Sequence, residues 1–178
     1  MLTRKSVKDI MVGIDEYPHI PSDISLKDAI GIVRSAMVDG KTCYQPMVAL
    51  VFDKKGLVGT LRLRDILKGM EPTFLQPSST VQGYSEDAAG LSVLWDTLFN
   101  KESRERVERP VSEAMNPVGV RVDVNDPIVK AAYLMIHNDL LVIPVLEEGK
   151  RVAGLIRMIE VFEELTKDFM ENQETVES

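Results

Sequence analysis

The chain has 178 residues, 44% hydrophobic and 28% charged, so it holds one ordinary domain or two small ones and is not wholesale disordered. Its net charge of −7 excludes a general binder of nucleic acid or of anionic membranes, which would need a positive surplus. The charge is uneven: residues 1–70 carry 11 Lys/Arg against 8 Asp/Glu, which leaves room for a local cationic pocket.

The chain opens with Met1-Leu2-Thr3-Arg4-Lys5, which leads into no signal-peptide core, and no apolar run is long enough to span a bilayer. Cys43 is the only cysteine, which excludes an intramolecular disulfide and a thiolate zinc cluster and fits a reducing compartment. A soluble, cytoplasmic protein is expected.

In chain order, the first element is the lead-in Val7-Lys8-Asp9-Ile10-Met11. Apolar residues at helical spacing follow from Ser25-Leu26-Lys27-Asp28-Ala29-Ile30 to Ile32-Val33, behind Ser22, Asp23 or Ser25 as N-cap. Val48-Ala49-Leu50-Val51-Phe52 reads as a buried strand, and Asp53-Lys54-Lys55-Gly56 as a turn. Leu57-Val58-Gly59-Thr60-Leu61 returns as the second hairpin strand, and a helix closes the unit around Arg64–Lys68.

The same order recurs. Val111-Ser112-Glu113-Ala114-Met115 repeats the lead-in, and Pro127-Ile128-Val129-Lys130-Ala131-Ala132 repeats the helix, with Asp126 as N-cap and Pro127 at N1. Leu140 to Leu146, the turn Glu147-Glu148-Gly149-Lys150 and Arg151 to Ile156 repeat the hairpin, and a helix from Met158 to about Met170 closes the second copy. Four ordered elements in matching sequence establish a duplication. The first copy carries a few extra residues around Asp39–Gln45, expected in a loop.

Between the copies, Glu71–Thr80 is turn-rich, and Leu91, Leu94, Trp95, Leu98 and Phe99 form one helical stripe that covers either the chain's own core or a partner. Lys101–Arg109 is a mixed charge run, expected as a solvated helix face or loop. The expected organisation is residues 1–70 for the first unit, 71–110 for an insert with an amphipathic helix, 111–170 for the second unit, and an acidic, frayed tail at 171–178.

These residues resemble the cystathionine-β-synthase (CBS) domain family, and the resemblance covers nearly the whole chain. It rests on the Val-x-Asp-x-Met lead-in, the Val142-Ile143-Pro144-Val145 strand, Gly149 and Gly154, and the run from Gly59 to Asp65. The resemblance implies an α+β (α/β-like) fold of two pseudo-symmetric β-α-β-β-α units packed through their sheets, commonly associating as a homodimer. It also implies a regulatory module rather than an enzyme. AMP, ADP, ATP or S-adenosylmethionine would occupy a cleft between the units as a regulatory ligand, with no cofactor required.

Family members that bind adenine nucleotides carry a hydroxyl residue three positions before an aspartate at the start of the last helix. Here Arg62 stands at the hydroxyl position before Asp65, and Arg157 before Glu160. By analogy Asp65 holds ribose, while Arg62 and Arg157 meet phosphate beside a helix N-terminus. Arg157 and Glu160, spaced i, i+3, can equally pair with each other, and an acid in a first helical turn is favoured by the dipole alone. Val118, Val120, Ile143 and Pro144 would lie against the adenine. His19 lies where the family places ligand-facing groups but reads first as a surface histidine, and His137 is expected to interact with its helix C-terminus. No Gly-x-Ser-x-Gly, His-x-x-x-His or phosphate-loop motif occurs, and no metal site is expected. The alternative is a dimerisation or docking module without nucleotide.

Overall fold

A computed structural model describes residues 5–38, 48–71 and 100–171. The loop expected around Asp39–Gln45 with Cys43, nearly all of Glu71–Thr80, the Leu91–Phe99 stripe with Trp95 and the tail after Glu171 lie outside the described residues.

The described chain divides into two compact units. The first, Tyr17–Pro117, contains strand β1 (His19–Pro21), helix α1 (Leu26–Val38), hairpin strands β2 (Val48–Asp53) and β3 (Gly56–Arg62), helices α2 (Leu63–Met70) and α3 (Asn100–Arg106), and strand β4 (Asn116–Pro117). The second joins Met1–Glu16 to Val118–Ser178 and contains β5 (Val122–Asp123), α4 (Ile128–Asn138), β6 (Val142–Glu147), β7 (Arg151–Arg157) and α5 (Met158–Glu171).

Both sheets follow one plan: β1 runs parallel to β2 and β5 parallel to β6, while the β2–β3 and β6–β7 hairpins are antiparallel. Val48 to Val51 are buried at every position, without the alternation of a half-exposed strand, so both faces of β2 are covered. The hairpin turns use backbone that glycine favours, with Gly56 at φ +122° and Gly149 at φ +67°. Ser25 accepts a bond from Asp28 N at 3.1 Å and so caps α1, one of the three residues expected there. Helix α4 starts at Ile128, one residue later than expected, with Pro127 as its flanking residue.

Each unit has its own core. Ile20, Leu26, Ala29, Val51, Leu61 and Ile66 pack in the first, and Val122, Ile128, Met135, Ile143, Val145 and Ile156 in the second. Each large side chain removed from water in this way contributes about 1.5–3 kcal/mol.

The repeat in sequence and the units in space differ at the lead-ins. Val7 sits in the core beside Ile128 and Ile143 of the second copy, and Val111 in the core beside Leu26 and Leu61 of the first. Backbone bonds fix both. Val7 N donates to Asp126 O at 2.8 Å, and Val12 and Leu155 exchange two bonds at 2.8 and 2.9 Å. Val111 N donates to Ile24 O at 2.9 Å and Ser112 N to Ser22 O at 3.0 Å. Each compact unit therefore takes its lead-in from the other copy of the repeat.

The charge run Lys101–Arg109 is more than a solvated face. Ser103 is buried and its hydroxyl donates to Met70 O at 2.7 Å, while Arg106 Nε donates to Gly69 O at 3.1 Å. The run thus satisfies carbonyls at the end of α2, which every helix leaves unpaired. Arg109 O and Val107 O accept from Leu26 N and Lys27 N at 2.8 Å each, serving the first turn of α1 in the same way.

The N-terminal segment is also tied by charge. Glu164 is nearly buried on α5 and accepts from Lys5 at 2.8 Å and Lys167 at 3.0 Å. The Lys5 hydrogen bond, followed by that of Lys167, holds its carboxyl below the ordinary value of 4.5. A depressed folded-state value means stability that is present above the unfolded value and lost as pH falls through the folded one. Thermal unfolding from about pH 7 to pH 3 should therefore show a loss of melting temperature beginning near pH 4.5, and Glu164→Gln should start less stable at neutral pH and flatten that acid limb. An unchanged acid limb in the variant would remove Glu164 from this role.

Candidate functional site

Strand β3 ends at Arg62, and the chain turns directly into α2. Asp65 in the first turn accepts three bonds from Arg62: from the backbone N at 2.9 Å, from Nε at 2.8 Å and from Nη2 at 2.9 Å. The cap runs one way: the Asp65 carboxylate reaches back to accept from the backbone and the guanidinium of the residue that precedes the helix. Asp65 is 8% exposed, and such a buried carboxylate needs these donors. A carboxylate offers about four lone-pair sites, so one remains for a further donor.

The second unit repeats the device at the end of β7. Arg157 Nε donates to Glu160 Oε2 at 2.9 Å, and Nη2 pairs with Oε1. Of the two sequence readings of this pair, mutual pairing is what the geometry contains. Both of its side chains are largely buried, whereas Arg62 keeps a third of its side chain exposed.

Around Arg62 the surface is concave. A groove of about 350 Å³ is lined by Arg62, Asp65, Lys68, Arg106, Glu113 and Asn116, among others. Among the described residues, three cationic side chains here outnumber two acidic ones, in a protein whose net charge is negative. Asp65 and Lys68 share a helix face by their i, i+3 spacing, which the sequence carried. Arg106 enters only because α3 docks on the end of α2, and the local sequence gave no sign of that.

Val118, Val120, Ile143 and Pro144 belong to the other compact unit. Ile143 has no exposed surface and lies in the core, with Val120 packed against that core. Pro144 is buried and, by strand alternation, points to the opposite face from Ile143. Val118 is half-buried. His19 is exposed, with its ring 4.9 Å from that of Phe52. His137 lies 4.2 Å from the Tyr133 ring, while Asp139, in the left-handed region at φ 52°, closes helix α4.

Among the described residues, no group of three or more His, Cys, Asp or Glu is placed to hold a metal ion. No helix among them is long and apolar enough to cross a membrane.

A duplicated β-α-β-β-α unit, with an arginine and an acid locking each closing helix, defines a tandem module with a polar groove at the start of α2. The CBS domain model matches residues 7–72 and 111–167, well over half of the sequence, and the chain belongs to the CBS-domain family. No curated protein matches it. Among solved structures, a CBS domain-containing protein from Bacillus anthracis str. Ames Ancestor is similar at 19% identity and a TM-score of 0.64, over 93% of this chain and 96% of that one. The CBS domain of a bacterial CNNM/CorC family Mg2+ transporter in complex with ATP is 17% identical with a TM-score of 0.61, over 93% and 89%. CBSX2 in complex with AMP is 18% identical with a TM-score of 0.56, over 89% and 93%. At these identities the likeness shows the fold.

Proposed function

We propose that this chain is a regulatory ligand-sensing module, not an enzyme, that binds an adenine nucleotide at the Arg62–Asp65 groove. The observation that carries the reading is the concentration of Arg62, Lys68 and Arg106 beside a buried carboxylate at a helix start. Phosphate would meet Lys68, Arg106 and the exposed edge of Arg62, where charge-assisted bonds add to the helix N-terminus. A ribose hydroxyl would donate to the remaining lone pair of Asp65. The structures of family members with ATP and with AMP support this ligand class. The Arg157–Glu160 pair, with both side chains largely buried, supports at most one such site per chain.

Signal transfer would follow from population shift: a nucleotide that prefers one arrangement of the chain stabilises it and changes the surface shown to a partner protein. A second reading, a docking module without nucleotide, is favoured by one observation. Helices α4 and α5 expose Tyr133 at 61%, Ile136 at 72% and Phe162 at 61%, apolar area that a second copy of this chain would cover. The homodimer serves both readings.

Thermal unfolding with AMP, ADP, ATP and S-adenosylmethionine separates them. A ligand at about a hundred times its dissociation constant stabilises by about 2.7 kcal/mol. At least one member of the panel should raise the melting temperature. A flat response to all four would leave the docking reading in its place.

A further inference from the structure

We propose that the first unit carries another small-molecule site, between β1 and the β2–β3 turn, for an aromatic ring bearing a phosphate or carboxylate. The cavity there measures about 760 Å³, within the size range of small-molecule pockets. Its lining includes His19 and Pro21 from β1, Asp23 beyond it, Phe52 at the end of β2, and Lys54 and Lys55 in the turn. Strand β3 runs from this turn to Arg62, so at about 3.3 Å per residue the site lies roughly 20 Å from the α2 groove.

The duplication supplies the argument. Residues that the fold itself demands recur in both copies, as the cored lead-in valines, the hairpin glycines and the Arg–acid locks do. The cavity residues do not recur. The strand registers place Arg121 where the first unit has His19, and Leu146 where it has Phe52. The second turn reads Glu148-Gly149-Lys150, preceded by Glu147 in an ion pair with Arg151. The ring pair and the lysine pair are thus absent together from the other copy, whose turn is one residue longer, closing at Glu147 and Arg151 rather than at Asp53 and Gly56.

The arrangement is also held in place. Lys55 N donates to Asp53 Oδ1 at 2.6 Å and Ser22 N to Phe52 O at 2.9 Å, so both segments lining the cavity are pinned. The His19 and Phe52 rings meet at 4.9 Å with a 41° tilt, an apolar wall against which a planar ligand ring can lie. Lys54 and Lys55 are exposed and supply the charge for its anionic group. Asp53 is engaged in the turn, and Asp23 faces the cavity as an acceptor for a ligand N–H or O–H.

Amide and ring NMR of the isotope-labelled full chain tests this with three probes: phenyl phosphate, indole-3-acetate and inorganic phosphate. Phenyl phosphate or indole-3-acetate should shift His19, Phe52, Lys54 and Lys55 saturably below about 10 mM, and which of them binds tighter separates a phosphate source from a carboxylate one. Inorganic phosphate should bind about tenfold more weakly, because it leaves the ring wall uncovered. The double variant Lys54→Ala/Lys55→Ala, confined to an exposed turn, should weaken binding by a similar factor. Equal binding of inorganic phosphate, no saturable shift with either aromatic anion, or binding unchanged in the double variant would each overturn the proposal. Shifts confined to Arg62, Lys68 and Arg106 would overturn it too, while leaving the nucleotide reading standing.

Discussion

Gly154→Ala is expected to destabilise the protein by about 3 kcal/mol, although it adds a single methyl group. A Cβ on Gly154 would fall well inside van der Waals contact of the Val12 carbonyl oxygen and 3.3 Å from Met11 Sδ. The oxygen belongs to backbone that exchanges two hydrogen bonds with Leu155, so it cannot move aside without breaking them. The equivalent Gly59 is a matched control. A Cβ there meets the flexible Met115 sulfur at 2.5 Å and the Asn116 carbonyl oxygen at 3.0 Å. Side-chain rotation relieves much of that contact, so Gly59→Ala should cost about half as much. Denaturant unfolding of both variants, with hydrogen exchange at Val12 and Leu155, checks the ranking. Equal costs, or full protection of Val12 in Gly154→Ala, would contradict it.

The second large effect concerns the exchanged lead-ins. Val7 and Val111 are both fully buried, and truncating either to alanine removes two methyl groups and leaves a cavity, at about 2–3 kcal/mol. The location of the damage is the informative part. Val7→Ala should lower hydrogen-exchange protection in β6 and β7, which follow it by more than a hundred residues, and spare β2 and β3. Val111→Ala should do the reverse, loosening β2 and β3, which precede it in the chain. If each variant loosened the hairpin of its own sequence repeat instead, the exchange would be wrong.

The exchange could not be read from the sequence, for a physical reason. Val7 and Val111 carry the same apolar pattern whichever unit they enter, and only the tertiary partners Asp126 and Ile24 decide between the alternatives. The hairpins were legible because the apolar runs are short and their turns need Gly56 and Gly149 at positive φ. For Arg157 and Glu160 the i, i+3 spacing allowed mutual pairing as one of two readings, and the geometry contains that pairing. The run Lys101–Arg109 was less so. Helix α2 ends at Glu71 in extended conformation, with no left-handed cap of the kind Asp139 gives α4. Its last carbonyls therefore take donors from Ser103 and Arg106, which a composition-based reading leaves in solvent. For Asp65 the sequence offered ribose binding or dipole stabilisation, and the three bonds from Arg62 add a helix lock to both.

In the proposed site the arginine that holds Asp65 would also meet phosphate. Calorimetric titration of the full chain with ATP, repeated on Arg62→Ala at equal salt, reads this most directly. The expected result is saturable binding of about one nucleotide per chain, weakened about tenfold in the variant and weakened further as salt rises. Absence of saturable binding, or affinity that Arg62→Ala leaves unchanged, would contradict the assignment of the groove.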